Sequence, residues 1–255
     1  MSYRTTLITG ASSGIGAATA RRIAQSGECL LLHARGGRDG SKIAHLEAVA
    51  NECRKTGADV ETSLGDLAEE GVARQLVQQA TEHFGRLDRI VSNAGFALST
   101  PIGELSRAEL NHSYAVITGA FAELITHALP HLINSDNGRV VAVSSFVVDQ
   151  VPLARQFPAT AAAKGAMQAM AMSFAAQVAN EGVTVNCINP GFTRKETATR
   201  SALSSEAWEQ AAAVTPNKRL ATPADIAAAI AFFLSDDASH ITGQALRVDG
   251  GLSLV

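Results

Sequence analysis

Short runs of consecutive apolar residues alternate along this chain with longer segments in which apolar residues recur every three or four positions. Such runs are typical of strands buried on both faces, and the wider spacing is typical of helices. The alternation predicts an α/β fold, a doubly wound parallel sheet with helices on both faces in three α/β/α layers. The predicted strands are a first one ending near Ile8 and then residues 29–34, 59–64, 89–92, 139–143, 183–188 and 245–248. The predicted helices are one from Ala17 and then residues 41–55, 69–84, 106–132, 158–180 and 223–234.

The 255 residues contain no linker, repeat or change of composition that would divide this pattern, so we expect one domain spanning residues 1–255. A net charge of −3 with 18% charged residues gives no electrostatic reason to expect nucleic acid as a partner. The three cysteines have no metal-ligand spacing, which indicates buried thiols in a reducing compartment and no metal site. Without a targeting leader or a run of about 18 apolar residues, the expected location is the cytoplasm and not a membrane.

Residues 9–16 read Thr-Gly-Ala-Ser-Ser-Gly-Ile-Gly and join the first predicted strand to the first predicted helix. Glycines let the backbone take positive φ angles and approach a ligand, and the free amides of a helix N-terminus attract negative charge. Gly10, Gly14 and Gly16 therefore predict a diphosphate site. The alternative interpretation is a tight turn with no ligand, because one glycine-rich turn is a weak motif.

Polar residues or glycines also follow the carboxyl ends of the later strands. Ligands of doubly wound sheets bind beyond these ends, beside the point where the strand order reverses. This placement favours a ligand over an empty turn. The positions are Arg35, Asp66, residues 93–95, Ser144, Ser145 and residues 189–191.

These motifs, in this order, resemble those of the short-chain dehydrogenases/reductases, which are nicotinamide-dependent oxidoreductases with one Rossmann-like domain. The Thr-Gly-x-x-x-Gly-x-Gly of that family is matched at residues 9–16, its Asn-Ala-Gly at 93–95, its Asn-Pro-Gly segment at 189–191, and its closing strand at 243–251. The resemblance runs nearly end to end and implies a nicotinamide dinucleotide site, with Asp66 at the adenine and Asn93 bracing the strand ends. The cofactor-binding residues that it implies are Gly10, Ser12, Ser13, Gly14, Ile15, Gly16, Arg35, Asp66, Leu67, Asn93, Ala94, Gly95, Lys164, Pro190, Gly191 and Thr193.

The resemblance is incomplete in the catalytic set, which in this family is a Ser followed by a Tyr-x-x-x-Lys on the next helix. Ser145 and Lys164 match, but Thr160 stands where the tyrosine is expected, and the two tyrosines of the chain, Tyr3 and Tyr114, are too distant to be misaligned. An aliphatic hydroxyl is a poor acid, and general acid catalysis typically contributes roughly 10²–10⁴-fold. Thr160 either orients substrate or water, or has no chemistry. In an otherwise intact pocket Thr160→Tyr should restore carbonyl reduction, whereas in a pocket rebuilt around a small residue it should block binding.

Two further positions depart from the pattern of the family. Val116 stands where an asparagine usually holds a proton-relay water. Lys195 stands where a threonine often lies near the nicotinamide, with Thr193 and Thr197 close by. The proton-relay set is therefore altered at more than one place. Two candidate substitute acids are His112, one helical turn before Val116, and Asp149, in the loop after the fifth strand.

Two functions remain open. The first is an NADP(H)-dependent oxidoreductase that transfers hydride to or from a small carbonyl, alcohol or conjugated enoyl substrate, with water, Thr160 or a nearby acid handling the proton. The second is a cofactor-binding protein with little turnover that acts as a sensor or structural partner. Ser145 and Lys164 favour the first function, and the missing tyrosine and asparagine favour the second.

The end of the second strand predicts NADP, with NAD as the second choice. An acidic residue there would hold the ribose 2′-hydroxyl and repel a 2′-phosphate. Ala34 occupies that position, and Arg35 and Arg38 follow it. Arginine matches the geometry and charge of a phosphate.

Two other features of the sequence predict a homo-oligomer and a mobile substrate lid. The helices around residues 115–129 and 160–178 are apolar or small nearly all round, which one contact with a sheet does not explain. We therefore expect a homotetramer or homodimer. Residues 192–217 are long for a connector and carry the single tryptophan, Trp208, so we expect a substrate lid near 192–217.

Overall fold

A computed structural model describes residues 3–36, 40–152, 156–194 and 205–255. Seven parallel strands form one sheet in the order β3-β2-β1-β4-β5-β6-β7. The predicted doubly wound parallel sheet is therefore confirmed. The strands are β1 (Arg4–Thr9), β2 (Glu28–Ala34), β3 (Asp59–Leu64), β4 (Arg89–Ser92), β5 (Arg139–Val143), β6 (Thr184–Pro190) and β7 (Ala245–Val248).

Helices cover both faces of the sheet because consecutive strand residues point to opposite sides and most of them are apolar. The helices are α1 (Gly14–Ile23), α2 (Ser41–Arg54), α3 (Val72–Phe84), α4 (Arg107–Tyr114), α5 (Ala120–Ile133), α6 (Pro158–Val178), α7 (Ser205–Val214) and α8 (Pro223–Leu234). Leu7 of β1 packs with α3, α5 and α6, whereas its neighbour Ile8 packs with α1, α2 and α8. Each face of the sheet thus has its own hydrophobic core.

The structure adds detail to three predicted segments. The long helix expected at 106–132 runs without a break over Arg107–Ile133, and a π-helical turn at Ala115–Gly119 divides it into α4 and α5. Helix α7 lies inside the segment that we expected to be a lid. Strand β6 runs through Asn189 and Pro190, which pair with Arg247 and Val248 of β7, so that only Gly191 follows the strand.

The stretch Arg107–Ile133 also has the length and mean hydropathy, 1.3, of a helix that could cross a membrane. Half of the apolar window is buried within the molecule. Phe121, Leu124 and Leu132 of α5 belong to the core on the α3 side of the sheet, which accounts for the apolar composition.

The strand order reverses beside β1, which pairs with β2 on one side and with β4 on the other. The chain moves outward from β1 to β3, returns, and then moves the other way from β4 to β7. Connections on the two sides of β1 therefore diverge and leave a crevice at the carboxyl ends of β1 and β4. The glycine-rich turn and residues 93–95 lie at this crevice.

Candidate active site

The turn between β1 and α1 has the shape of a phosphate cradle. Gly10 and Gly14 have φ angles of +69° and +57°, in the region that favours glycine. A side chain on Gly16 would begin 2.4 Å from the Gly10 carbonyl oxygen, and one on Gly14 would meet nothing within 4 Å. Ser13, the N-cap of α1, makes no side-chain capping bond, so the first amides of the helix stay open to a ligand. The cradle fits a diphosphate.

Asn93 fastens this cradle to the end of β4. Its side-chain amide donates to the carbonyl oxygens of Thr9 (2.9 Å) and Gly10 (3.2 Å). In return, the Thr9 hydroxyl accepts the main-chain amides of Asn93 and Ala94, each at 3.0 Å. Four hydrogen bonds therefore connect the two strand ends on either side of the crevice.

The other predicted cofactor residues around the cradle differ in exposure. Ser12 is buried and Ser13 is exposed, while Ile15 packs against the core beneath α1. Leu67 is 7% exposed and its side chain belongs to the core on the α3 side, so only its main chain can face a ligand.

At the ends of β2 and β3, Arg35 and Asp66 have different surroundings. Arg35 is exposed, and no ion pair to it occurs within the part of the chain that is described. Asp66 is half-buried and accepts the Ala68 amide at 3.0 Å. The exposed guanidinium is thus free for an anion at this end of the crevice, whereas Arg38 lies outside the described residues.

His33 joins these strand ends from beneath. Its side chain is 1% exposed, its Nε2 lies 2.9 Å from the Gly65 carbonyl oxygen, and its own carbonyl accepts the Ala11 amide at 2.8 Å. Burial lowers the pKa of His33 below its usual value, against a smaller opposing effect of the bond to Gly65. The imidazole is therefore neutral at neutral pH.

Lowering the pH is expected to destabilise the protein through His33. Because the folded pKa lies below the unfolded value, this contribution is complete above about pH 6.5 and is lost as the pH falls toward the folded pKa. The expected loss approaches about 1.4 kcal/mol per pH unit. Urea unfolding at pH 7.5 and 5.5 measures it for the wild type and for His33→Gln. The other histidines are exposed or half-buried, so an equal loss in both proteins would contradict this prediction.

Lys164 of α6 reaches the carboxyl ends of β4 and β5. Its ammonium group donates to the carbonyl oxygen of Val143, the last residue of β5. The Nζ atom also lies 3.2 Å from the point where a side chain on Gly95 would begin. Because Gly95 itself is exposed, the ammonium lies just below the floor of the crevice. Ser145, two residues beyond Val143, is half-buried and its hydroxyl accepts the Val147 amide at 3.4 Å.

Burial changes the titration of Lys164. Desolvation lowers the pKa of its ammonium to about 8, with a smaller opposing effect from Cys187. Burial also raises the pKa of the Cys187 thiol to about 12, so the thiol stays neutral at neutral pH. All three cysteines are buried and free, as expected from the sequence.

Thr160, which the sequence resemblance aligns with the tyrosine of the family, has a hydroxyl that is already hydrogen-bonded within the protein. It accepts the Leu98 amide at 2.9 Å and lies 3.5 Å from the Phe96 carbonyl oxygen. The residue is 5% exposed. The hydroxyl thus ties α6 to the loop that follows β4, and this contact leaves it little freedom to act on a substrate.

The two candidate substitute acids lie nearer the rim. His112 is exposed and its ring stacks on Phe96, with ring centroids 5.3 Å apart. Asp149 pairs with Arg247 at 3.1 Å and accepts the Asn189 side-chain amide at 3.3 Å. Asp149 therefore joins the loop after β5 to the ends of β6 and β7.

Both tyrosines are remote from this arrangement or exposed. Tyr3 precedes β1, at the amino-terminal end of the strands and opposite the crevice, and is 64% exposed. Tyr114 ends α4 and is 36% exposed. Val116, in the π-helical turn, is buried in the core, so it offers no polar atom to a relay.

Comparison with known proteins agrees with these features. A family model described as enoyl-(acyl carrier protein) reductase matches residues 10–253. The cis-4-hydroxycyclohexanecarboxylate dehydrogenase of Sinomonas cyclohexanicum is 34% identical over 253 residues, which cover 99% of this chain and 97% of that protein. The chain belongs to the short-chain dehydrogenase/reductase family.

Further relatives extend the comparison. A 3-oxoacyl-(acyl-carrier-protein) reductase of Staphylococcus aureus is 30% identical over 251 residues, with 98% of each protein covered. The crystal structure of a short-chain dehydrogenase from Burkholderia cenocepacia in complex with NADP has a TM-score of 0.89 at 27% identity, with 98% of each chain covered. These relatives are named as dehydrogenases and reductases, and this short-chain dehydrogenase/reductase is accordingly an oxidoreductase.

Beyond β6, this short-chain dehydrogenase/reductase brings its chain close to the end of β7. A side chain on Gly191 would begin 2.8 Å from the Asp249 Cα. The Thr193 hydroxyl donates to the Gly191 carbonyl oxygen at 3.0 Å, and Pro190 is the last residue of β6. Lys195, Thr197 and the rest of the expected lid up to residue 204 lie outside the described residues.

An apolar cluster stands next to Ser145. Phe146 and Val147 pack with Leu252 near the C-terminus, and Phe157 and Phe192 pack against them. The rings of Phe146 and Phe192 are 4.7 Å apart between centroids. Hydrocarbon side chains thus lie next to the Ser145 hydroxyl.

Sequence reasoning missed His33, Phe96 and Leu98. His33 lies in an apolar run, where a lone histidine gives no sign of a bond to a neighbouring strand. Phe96 and Leu98 follow the Asn-Ala-Gly motif directly, and a loop at that place was a signal that could have been followed. Their contact with Thr160 joins residues 62 and 64 positions apart, which no local pattern reveals.

Proposed function

We propose that this chain is an NADP(H)-dependent oxidoreductase that transfers hydride to or from a small carbonyl, alcohol or conjugated enoyl substrate through an altered catalytic set. It would act as one dinucleotide-binding domain over residues 1–255, with a lid near 192–217. The observation that carries the proposal is the placement of Lys164 and Ser145 at one end of a crevice whose other end is an open phosphate cradle.

The residues around the crevice fit a nicotinamide dinucleotide. The turn with Gly10, Gly14 and Gly16 and the first amides of α1 would hold the diphosphate. Asp66 would contact the adenine, and Lys164 beneath Gly95 would hold the nicotinamide ribose. When bound, the cofactor supplies or accepts a hydride at carbon. NADP or NADPH is bound in several similar structures, among them the angucycline ketoreductase LanV and a metagenomic blue fluorescent protein, both with a TM-score of 0.89.

Arg35→Ala is expected to weaken NADPH binding about 10–100-fold and leave NADH binding unchanged. A hydrogen bond to a charged group contributes about 1.5–3 kcal/mol, and only NADPH carries the 2′-phosphate that Arg35 would meet. Fluorescence titration of each dinucleotide measures both affinities. Arg22→Ala, which removes an exposed arginine from the last turn of α1, is the control. Tighter binding of NADH than NADPH by the wild type would refute the assignment.

On the substrate side, the supporting features are the Ser145 hydroxyl and the apolar cluster beside it. The hydroxyl would bind the substrate oxygen, and the hydrocarbon wall would contact an apolar ring or chain. Three relatives are named for cyclic compounds: the cyclohexanecarboxylate dehydrogenase, the angucycline ketoreductase and a levodione reductase. Cyclic ketones therefore belong among the first substrates to test, with linear 3-oxo and enoyl thioesters as the alternatives.

The proposal is tested by mixing the purified protein with NADPH and this substrate panel and following absorbance at 340 nm. Oxidation of NADPH with at least one carbonyl or enoyl compound is expected, with loss of turnover in Ser145→Ala. Firm NADPH binding without turnover on any compound would instead favour the second function, a cofactor-binding sensor or structural protein.

We also propose a homotetramer or homodimer in the cytoplasm. The outer side of α6 carries small or apolar residues, Ala162, Ala169 and Met172, which stay exposed in the single chain. Such a surface fits a second copy of the chain. A monomeric mass in analytical ultracentrifugation at micromolar concentration would contradict the assembly.

A further inference from the structure

The described part of the crevice offers few groups that could give a proton to a substrate oxygen. The Thr160 hydroxyl is held by main-chain atoms of the loop after β4. Asp149 is held by Arg247 and Asn189. Ser145 carries an aliphatic hydroxyl, which is too weak an acid to protonate an alkoxide efficiently. These three side chains are therefore poor proton donors.

Lys164 differs in both its chemistry and its position. Its ammonium group is anchored at Val143, two residues before Ser145, so the two groups share the end of β5. An ammonium has three N–H donors, and the bond to Val143 uses one of them. Gly95 is exposed and has no side chain, and its missing side chain would begin 3.2 Å from the Nζ atom, so the ammonium lies beside an open part of the crevice although Lys164 as a whole is buried.

We propose that Lys164 is the general acid of this enzyme and gives its own proton to the substrate oxygen, in place of the missing phenol. In carbonyl reduction, the carbonyl carbon accepts hydride, the π electrons of the C=O bond move to oxygen, and an O–H bond forms as one ammonium N–H bond breaks. The lysine is left as a neutral amine and regains a proton from water. This assignment rests on the proposed function, because it names the proton donor of that reaction.

The surroundings of the ammonium suit this role. Burial lowers its pKa to about 8, so at pH 7 the group is mostly protonated and yet a better acid than an ordinary lysine. The groups that face it are the neutral Cys187 thiol on β6 and the uncharged Gly95 and Val143. No carboxylate among the described residues stabilises its charge.

The first test measures the titration of Lys164 in the protein without cofactor. The chain contains five lysines, so ¹³C-labelled lysine gives a spectrum simple enough to assign with a Lys164→Arg variant. We expect the Cε signal of Lys164 to titrate near pH 8. Titration of this signal at the pKa of an ordinary lysine, about 10.4, would overturn the proposal.

The second test separates proton donation from cofactor binding. With NADPH affinity measured by fluorescence and saturation ensured, Lys164→Ala is expected to lower kcat for a ketone roughly 10²–10⁴-fold. Ethylamine should restore part of the lost rate, and the fall of wild-type kcat above pH 8 should disappear in the variant. His112→Gln removes the other candidate acid, and the fall of kcat above pH 8 should persist in this variant.

Each outcome of the kinetic test decides a different point. A Lys164→Ala variant that loses NADPH affinity but keeps kcat would show that the lysine only holds the cofactor, and would refute the acid role alone. Disappearance of the fall of kcat above pH 8 in His112→Gln would also refute the acid role of Lys164. A wild type that turns over no substrate would refute the proposed function itself.

Discussion

Gly16→Ala is expected to weaken NADPH binding by at least about 100-fold. The new methyl group would lie 2.4 Å from the Gly10 carbonyl oxygen and 2.7 Å from the Asn93 side-chain nitrogen, much closer than atoms can pack. Either the turn or Asn93 must move. At least two charge-assisted hydrogen bonds to a diphosphate, of about 1.5–3 kcal/mol each, depend on the position of that turn.

The same change should lower the free energy of unfolding by about 1–3 kcal/mol, the usual effect of overpacking a tight site. Fluorescence titration and urea unfolding measure the two effects. Gly165→Ala is the matched control, because its methyl group would meet only the Val148 side chain at 3.7 Å and lies inside helix α6. Wild-type NADPH affinity in Gly16→Ala would show that the turn does not bind the cofactor.

Thr160→Val is expected to lower the free energy of unfolding by about 1–3 kcal/mol, because it leaves the Leu98 amide without its acceptor. Valine keeps the shape of threonine, so the effect isolates the hydroxyl. Urea unfolding measures the loss, and hydrogen exchange should speed up at the Leu98 amide in particular. Thr160→Ser keeps the hydroxyl and should lose less. Unchanged exchange at Leu98 in Thr160→Val would contradict the structural role.

The same contacts decide what Thr160→Tyr should do. From the sequence, restored carbonyl reduction was expected only in an otherwise intact pocket. Thr160 is 5% exposed and bonded to the loop at Phe96 and Leu98, which favours the alternative of a pocket rebuilt around a small residue. We therefore expect Thr160→Tyr to displace that loop and to lower substrate binding without raising kcat. A higher kcat with ketones and NADPH would show that the loop can yield to a phenol.

The strand pattern, the glycine turn and the family could be predicted because each depends on residues close together in the sequence. An apolar run such as 139–143 forms a strand where helices cover both faces of the sheet, and β5 has those bounds. The glycines at 10, 14 and 16 lie within seven consecutive residues, so their spacing alone restricts the backbone conformation of the turn. The π-helical turn between α4 and α5 was not predictable, since the extra residue that such a turn inserts leaves no recognisable apolar pattern.

The sequence alone determined the parallel sheet and the glycine-rich turn of this protein, and it predicted that the usual phenol is missing. The tertiary structure decided what the remaining polar groups do. Thr160 is bonded to a loop 62 residues away in sequence, and Lys164 is buried against Val143, 21 residues away. Burial and long-range hydrogen bonds fix the acidity and freedom of a side chain, and both depend on which distant segments the fold brings together.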